Sequence, residues 1–214
     1  MRNLEGHKEF MIWFKEESEK HFCELELDKD VYGLQFQKGT KWNEGLLDEE
    51  IEKYQKELGF EFPEELKWFF KTMNGTNLPG INVFGSSGLE YDYEPIYHTF
   101  PDHLTQMKDL IDEVLKIKSI SHHEMLRNSI PFIFPIERFY FMVIDNLTNP
   151  IYYISIGFEN HDLNKPIVYT SLYADTLQSY LIKSILERTN HISDPEEFPE
   201  RIRKSNYWTE NKNR

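Results

Sequence analysis

Apolar residues recurring at three- and four-residue spacing mark the helices of this chain. Over 7–21, Phe10, Met11 and Phe14 share a face with Trp13 beside it, and charged residues occupy most of the rest. That pattern predicts an amphipathic helix. Ile51, Tyr54 and Leu58 repeat it. Asp48 is placed to cap this second helix, and Gly59 to stop it, because glycine enters the left-handed region without a Cβ penalty. Pro63 opens a third, where a missing N–H costs little. Leu66, Phe69, Phe70 and Met73 form its apolar face, and Asn74-Gly75 closes it. The pair predicts an αα-hairpin with a joint of about four residues. Farther along, Asp102 is placed to cap a helix reaching to about 117, with Leu104, Met107, Ile111 and Val114 on one side. A last helix is predicted over about 173–188, with Leu177, Leu181 and Ile185 on one stripe.

Between these lie segments with strand character. Pro131–Pro135, Phe139–Ile144, Ile151–Ile156 and Pro166–Thr170 are short apolar or alternating runs. The 139–144 run has no polar residue, which fits a central strand covered on both faces. The turn Asp145–Pro150 makes its two flanking strands antiparallel. Brief extended pieces are expected at 23–27, 31–36, Val83-Phe84 and within Tyr91–Tyr97, and a short helical piece near 122–128. Helices before and after an antiparallel sheet predict an α+β fold, mostly antiparallel sheet packed with helices. The expected organisation is an N-terminal helix and extended extension over 1–39, a main domain over 40–190, and a polar C-terminal tail over 191–214.

Composition sharpens this picture. A chain of 214 residues with 15% aromatics can bury its own core without disulfides, and its single Cys forms none within the chain. The formal charge of -13 opposes nucleic acid and anionic membranes, and favours a basic protein as partner. No apolar run is long enough to cross a bilayer and the N-terminal stretch lacks the features of a signal peptide, so a cytoplasmic location is expected. The acids are uneven: nine of them between Glu44 and Glu65 face only Lys53 and Lys56. Glu49, Glu50 and Glu52 are therefore candidate partner-binding residues, as is the acidic-aromatic run Glu90-Tyr91-Asp92-Tyr93-Glu94. Acids there would steer an encounter and tyrosines would hold it. The competing reading is a set of solvated helix faces, with acids that favour helix N-termini.

Chemistry-bearing motifs are missing. The sequence has no G-x-G-x-x-G, P-loop, H-E-x-x-H or G-x-S-x-G pattern. No catalytic residue, cofactor or metal is predicted. His122-His123-Glu124 would diverge by about 100° per residue on a helix, so these side chains do not share a small ion. Cys23, beside Phe22, is expected to be a small buried hydrophobe. The enzymatic alternative is a hydrolase whose site assembles from distant residues, with His98, His103 or His161 beside carboxylates.

Trp42-Asn43-Glu44-Gly45, Glu50-Ile51, Leu58-Gly59-Phe60, Pro63-Glu64-Glu65-Leu66-Lys67, Phe69-Phe70 and Met73-Asn74-Gly75 occur in an order that resembles the SMI1/KNR4 family of the SUKH superfamily. Asp145 and Ile151-Tyr152-Tyr153-Ile154 extend the likeness, which covers about 40–188. The resemblance implies a fold without recognised catalytic residues. Bacterial members are similar to immunity proteins that bind and neutralise toxins, many of them nucleases; fungal relatives regulate cell-wall synthesis through protein contacts. The resemblance thus implies a protein partner, foremost a basic toxin domain. It gives structural roles to Trp42, Gly45, Ile51, Gly59, Pro63, Asn74 and Gly75. A general interaction or regulatory module with an endogenous partner is the alternative.

Overall fold

A computed structural model of the chain describes residues 6–24, 36–78, 96–121, 132–137, 140–144, 151–158 and 166–186. Among them are the helices α1 (His7–Cys23), α2 (Asp48–Leu58), α3 (Glu64–Thr72) and α4 (Leu104–Ser121). The strands β1 (Phe132–Glu137), β2 (Tyr140–Ile144), β3 (Ile151–Phe158) and β4 (Pro166–Ala174) follow. The short helix α5 (Leu177–Leu181) then runs on into a π-helical turn, Ile182–Leu186.

Helix α1 buries Phe10, Met11, Phe14, Ser18 and Phe22, one stripe at helical spacing. Ser18 is the informative member. Its small side chain leaves room for the indole of Trp42, whose Nε1–H donates to the Ser18 hydroxyl at 2.8 Å. Trp42 is buried and meets Phe69 and Tyr97 edge-on, with ring centroids 5.9 and 5.0 Å away, and Phe14 at a tilt. One side chain thereby joins α1, α3 and the segment before α4. The backbone around Trp42 is fixed as firmly. Its N–H donates to Glu19, Asn43 N–H donates to the Gly75 carbonyl, and Leu46 N–H donates to the Phe70 carbonyl at 2.7 Å. Residues 38–45 thus form an ordered strap laid across the hairpin.

The αα-hairpin of α2 and α3 is present, with three local differences. Asp48 is not the cap of α2: Leu47 holds that position and Asp48 is the first helical residue. Leucine has no side-chain acceptor, so the start is secured from the other direction, by Glu50 accepting the Leu47 N–H at 2.8 Å. Gly59 ends the helix at φ +82°, in the left-handed region, with its N–H on the Gln55 carbonyl. Pro63 precedes the first turn of α3 instead of occupying it, and α3 ends at Thr72, two residues before Asn74. Inside the hairpin, Tyr54 stacks on Phe100 at 4.4 Å and meets Phe62 and Phe70 edge-on.

Asp102 likewise is exposed and does not cap α4, which begins at Leu104; the His103 carbonyl accepts the Met107 N–H. The last helix starts later than its apolar stripe suggested. Tyr173 and Ala174 belong to β4, and Ala174 pairs with Ile151. Thr176 then caps α5 by accepting the Ser179 N–H. Leu177, Leu181 and Ile185 are buried.

The four strands form an antiparallel meander in the order β1-β2-β3-β4, with β2 and β3 central. Even so, the expected α+β domain built mostly of antiparallel sheet is overturned by the proportions. Among the described residues there are six helical segments, four of them 9 to 18 residues long, against strands of 5 to 9. The described buried core comes from helices and their connections, and of strand residues with described burial only Ile151 and Ala174 join it. The described residues form a largely helical body that carries one small sheet. All four runs predicted as strands are strands. The sheet was overweighted because local period marks an element without telling how much of the core it supplies, and here the longer helices supply most of the described core. The extended piece expected at 23–27 does not begin at Cys23, which is the last residue of α1. Residues 25–35 and 79–95, which hold most of the pieces expected at 23–27, 31–36, Val83-Phe84 and within Tyr91–Tyr97, and the helical piece near 122–128 lie outside the described residues.

Two glycines separate steric from conformational need. A Cβ on Gly45 would run into the Lys71 carbonyl and the Thr72 nitrogen, both backbone, whereas Gly59 has open space around it but a positive φ. Gly45→Ala is expected to cost about 3 kcal/mol or more, as severe overpacking does. Gly59→Ala should cost about 1 kcal/mol, the left-handed penalty alone. Urea unfolding at unchanged m-value measures both, and equal costs would contradict the strap geometry.

Candidate functional site

The N-terminal turn of α2 is where sequence-predicted partner residues reach solvent. Leu46 and Leu47 are adjacent yet opposite in fate: Leu46 is buried, and Leu47 is 70% exposed. The Leu46 N–H bond to Phe70 fixes this, since it turns one side chain inward and the next out. Glu49 and Glu52 are exposed around Leu47, and Asp48 reaches Lys71 at 2.6 Å. Glu50 is partly exposed and occupied with the Leu47 N–H. Of the three predicted acids on this helix, two are therefore uncommitted to backbone capping. Glu90, Tyr91, Asp92, Tyr93 and Glu94 lie outside the described residues. Leu47 was missed from sequence, because a Leu-Leu pair before a helix gives no sign of which member faces in.

Other acids of the same run do different work. Glu57 pairs with Lys108 at 2.7 Å, which holds its carboxyl below the usual range. Glu65 is buried, and burial pushes its carboxyl above the usual range. It accepts the Leu177 N–H at 2.9 Å and lies 3.5 Å from His7 Nδ1, so it ties α1, α3 and α5 together. It belongs to the interior and not to an acidic surface.

The motif residues sit where the fold needs them. Trp42 and Ile51 are core, and Gly75 has φ +72° with the Thr99 hydroxyl against its Cα. Asn74 does not close α3, which ends at Thr72 with Met73 after it extended; its side chain serves another segment. Its amide donates to the Phe100 carbonyl at 2.7 Å and accepts the Phe100 N–H at 2.9 Å, both buried. Asn43 adds a bond to the Asn74 carbonyl. The amide thereby replaces a strand partner for an otherwise unpaired stretch of backbone.

Cys23 is exposed, contrary to the buried hydrophobe expected. The α1 stripe takes Phe22 inward, four residues after Ser18, and the next side chain points about 100° away. His98 is buried, and neither ring nitrogen has a hydrogen-bond partner among the described residues. Its ring meets that of His103 edge-on at 5.6 Å, and His103 Nδ1 accepts the Thr99 N–H. Burial, with a smaller contribution from His103, pushes the His98 imidazole down to about 3. His161 and His122-His123-Glu124 lie outside the described residues. No three His, Cys, Asp or Glu side chains gather to hold a metal, and no helix is long and apolar enough to cross a membrane, among the described residues.

Because His98 stays neutral in the folded chain while an unfolded histidine takes a proton near 6.5, the unfolded state binds more protons below that pH. Stability is therefore expected to fall as pH drops from about 6.5 towards 3, by up to about 1.4 kcal/mol per pH unit. His98→Leu should flatten that part of the urea-measured stability profile; an unchanged slope would assign the acid sensitivity elsewhere.

Comparison with known proteins adds one finding. A model of the SMI1 / KNR4 family (SUKH-1) matches residues 45–183. The match begins at Gly45 and leaves out α1 and Trp42, although both contribute to the core. No curated protein matches the chain.

Proposed function

Because the chain belongs to the SMI1/KNR4 family (SUKH-1), we propose that it acts by binding a basic toxin domain, and that it neutralises this partner stoichiometrically, in the cytoplasm, without chemistry of its own. The observation that carries this reading is the exposure of Leu47 inside the acidic turn of α2, with Glu49 and Glu52 around it. An apolar side chain 70% exposed is a ready anchor, because a partner pocket that covers it removes apolar surface from water. The acids contribute mainly to the encounter. Together with a chain charge of -13, they draw in a positive surface and hold off acidic competitors. Lysine-rich or arginine-rich faces, such as a nuclease presents to phosphate, have the matching sign. An inhibitor of this kind works by occupying the face that the toxin needs, and requires only complementary shape and charge.

The reading predicts a toxin gene beside this one, and the test is titration calorimetry and stopped-flow binding with the purified domain of that neighbouring gene's product. Leu47→Asp is expected to weaken affinity about 30-fold, the loss of one anchor of about 2 kcal/mol. Glu49→Lys with Glu52→Lys should slow association about tenfold at low salt and leave dissociation nearly unchanged. Absence of a complex at micromolar concentrations would defeat the toxin reading. A complex indifferent to all three substitutions would move the interface elsewhere. Capture of an endogenous protein by the same turn would make this a regulatory module.

A further inference from the structure

The outward faces of α1 and α3 enclose a groove of about 420 Å³ whose charge runs against that of the chain. Lys8, Ile12 and Lys15 follow one another along α1 at helical spacing, and Trp68 and Lys71 face them from α3. The Lys71 ammonium lies 4.8 Å from the indole centre of Trp68, and that of Lys8 lies 5.7 Å away. Ile12 is 45% exposed beside them. The acids in the lining do not cancel these cations. Glu19 is turned to Lys41 at 2.9 Å and to the Trp42 N–H, leaving Glu16 as the one acid of the lining not so engaged. Lys71 already holds Asp48, and Lys15 donates to the Thr72 carbonyl at 3.2 Å. Lys8 and Lys15 therefore have no carboxylate partner among the described residues.

We propose that this groove docks a short acidic segment of a partner protein, with an apolar side chain flanked by carboxylates. The apolar side chain lies on Ile12 and the indole of Trp68, and the carboxylates meet Lys8 and Lys15. Two ammonium groups with no carboxylate bonded to them, against the single unengaged acid Glu16, leave the groove net positive on a chain of -13 and select an anionic ligand against the general field. The exposed Ile12 and the indole face select for an apolar group beside the anion. A bilayer fits less well, because the opening is a cleft between two helices and the rest of the chain repels anionic lipid. The site shares no residue with the acidic turn around Leu47 and has the opposite sign, so it stands apart from the toxin reading.

Fluorescence anisotropy tests it, using the full chain and the labelled peptide Glu-Glu-Leu-Asp-Glu, with Gln-Gln-Leu-Asn-Gln as control. The expected result is saturable binding of the acidic peptide below millimolar concentration, at least about tenfold tighter than the control. Lys8→Glu with Lys15→Glu should weaken it at least about tenfold, while Glu49→Lys with Glu52→Lys leaves it in place. If the double lysine variant melts early, Lys8→Gln alone should still cost about threefold, since the exposed Lys8 has no ion pair among the described residues whose loss would disturb the fold. No saturation, equal binding of the two peptides, or indifference to the lysines would each overturn the proposal. So would lysine-dependent binding to phosphatidylserine vesicles without binding to the peptide.

Discussion

The described structure depends on the accommodation of Trp42 between two helices. Its indole is large enough to touch Phe14, Phe69 and Tyr97 at once, and its N–H must find a partner if the ring is to be buried. Ser18 supplies that partner. A larger apolar residue at 18 would fill the same space and leave the indole N–H unsatisfied, at a cost of order 1–3 kcal/mol. The backbone strap that carries Trp42 has a corresponding demand. It approaches the end of α3 so closely that only glycine fits at position 45. One packing solution therefore fixes a serine on α1, a glycine in the strap and an aromatic on α3, residues that are far apart in sequence.

Burial sorts the acids into separate roles. Glu50, near a helix start, is used on a backbone N–H. Glu65 lies two residues into α3 but is enclosed by α1 and α5, so its charge is opposed by desolvation and kept in place by Leu177 and His7. Glu49 and Glu52 remain in water, where their charge costs little and acts at long range. A high local density of acid is thus not one surface. In the proposed reading only the subset left in solvent would steer a partner, and the exposed Leu47 at the start of the same helix would give it a point of attachment.

The Asp48–Lys71 pair marks a boundary on the surface. On one side lies the acidic turn with its exposed leucine; on the other lies the lysine-bordered groove over Trp68. If both proposed patches act, their opposite signs would orient a partner as well as attract it, because a partner presenting the wrong sign to either would lose affinity. Helix α1 builds one wall of the groove and lies outside the segment matched by the family model. The core and the groove both draw on that extension.

What the sequence determined by itself is local. The apolar stripes of α1, α2 and α3 were legible because helical period and burial coincide there, and Gly59 because positive φ at a helix end selects glycine; Gly75 also has a positive φ, but beyond the end of α3. The antiparallel pairing of β2 with β3 followed from a short turn between two apolar runs. The predominance of helices in the described core did not, since which element packs on which is not contained in a local period. Nor did the inward turn of Leu46 against the outward turn of Leu47, the exposure of Cys23, the burial of Glu65, or the meeting of Lys8 with Trp68. Each of these is set by contacts between residues distant along the chain. Position relative to other elements, not residue type, decides which polar groups keep their water and are left to act on a partner.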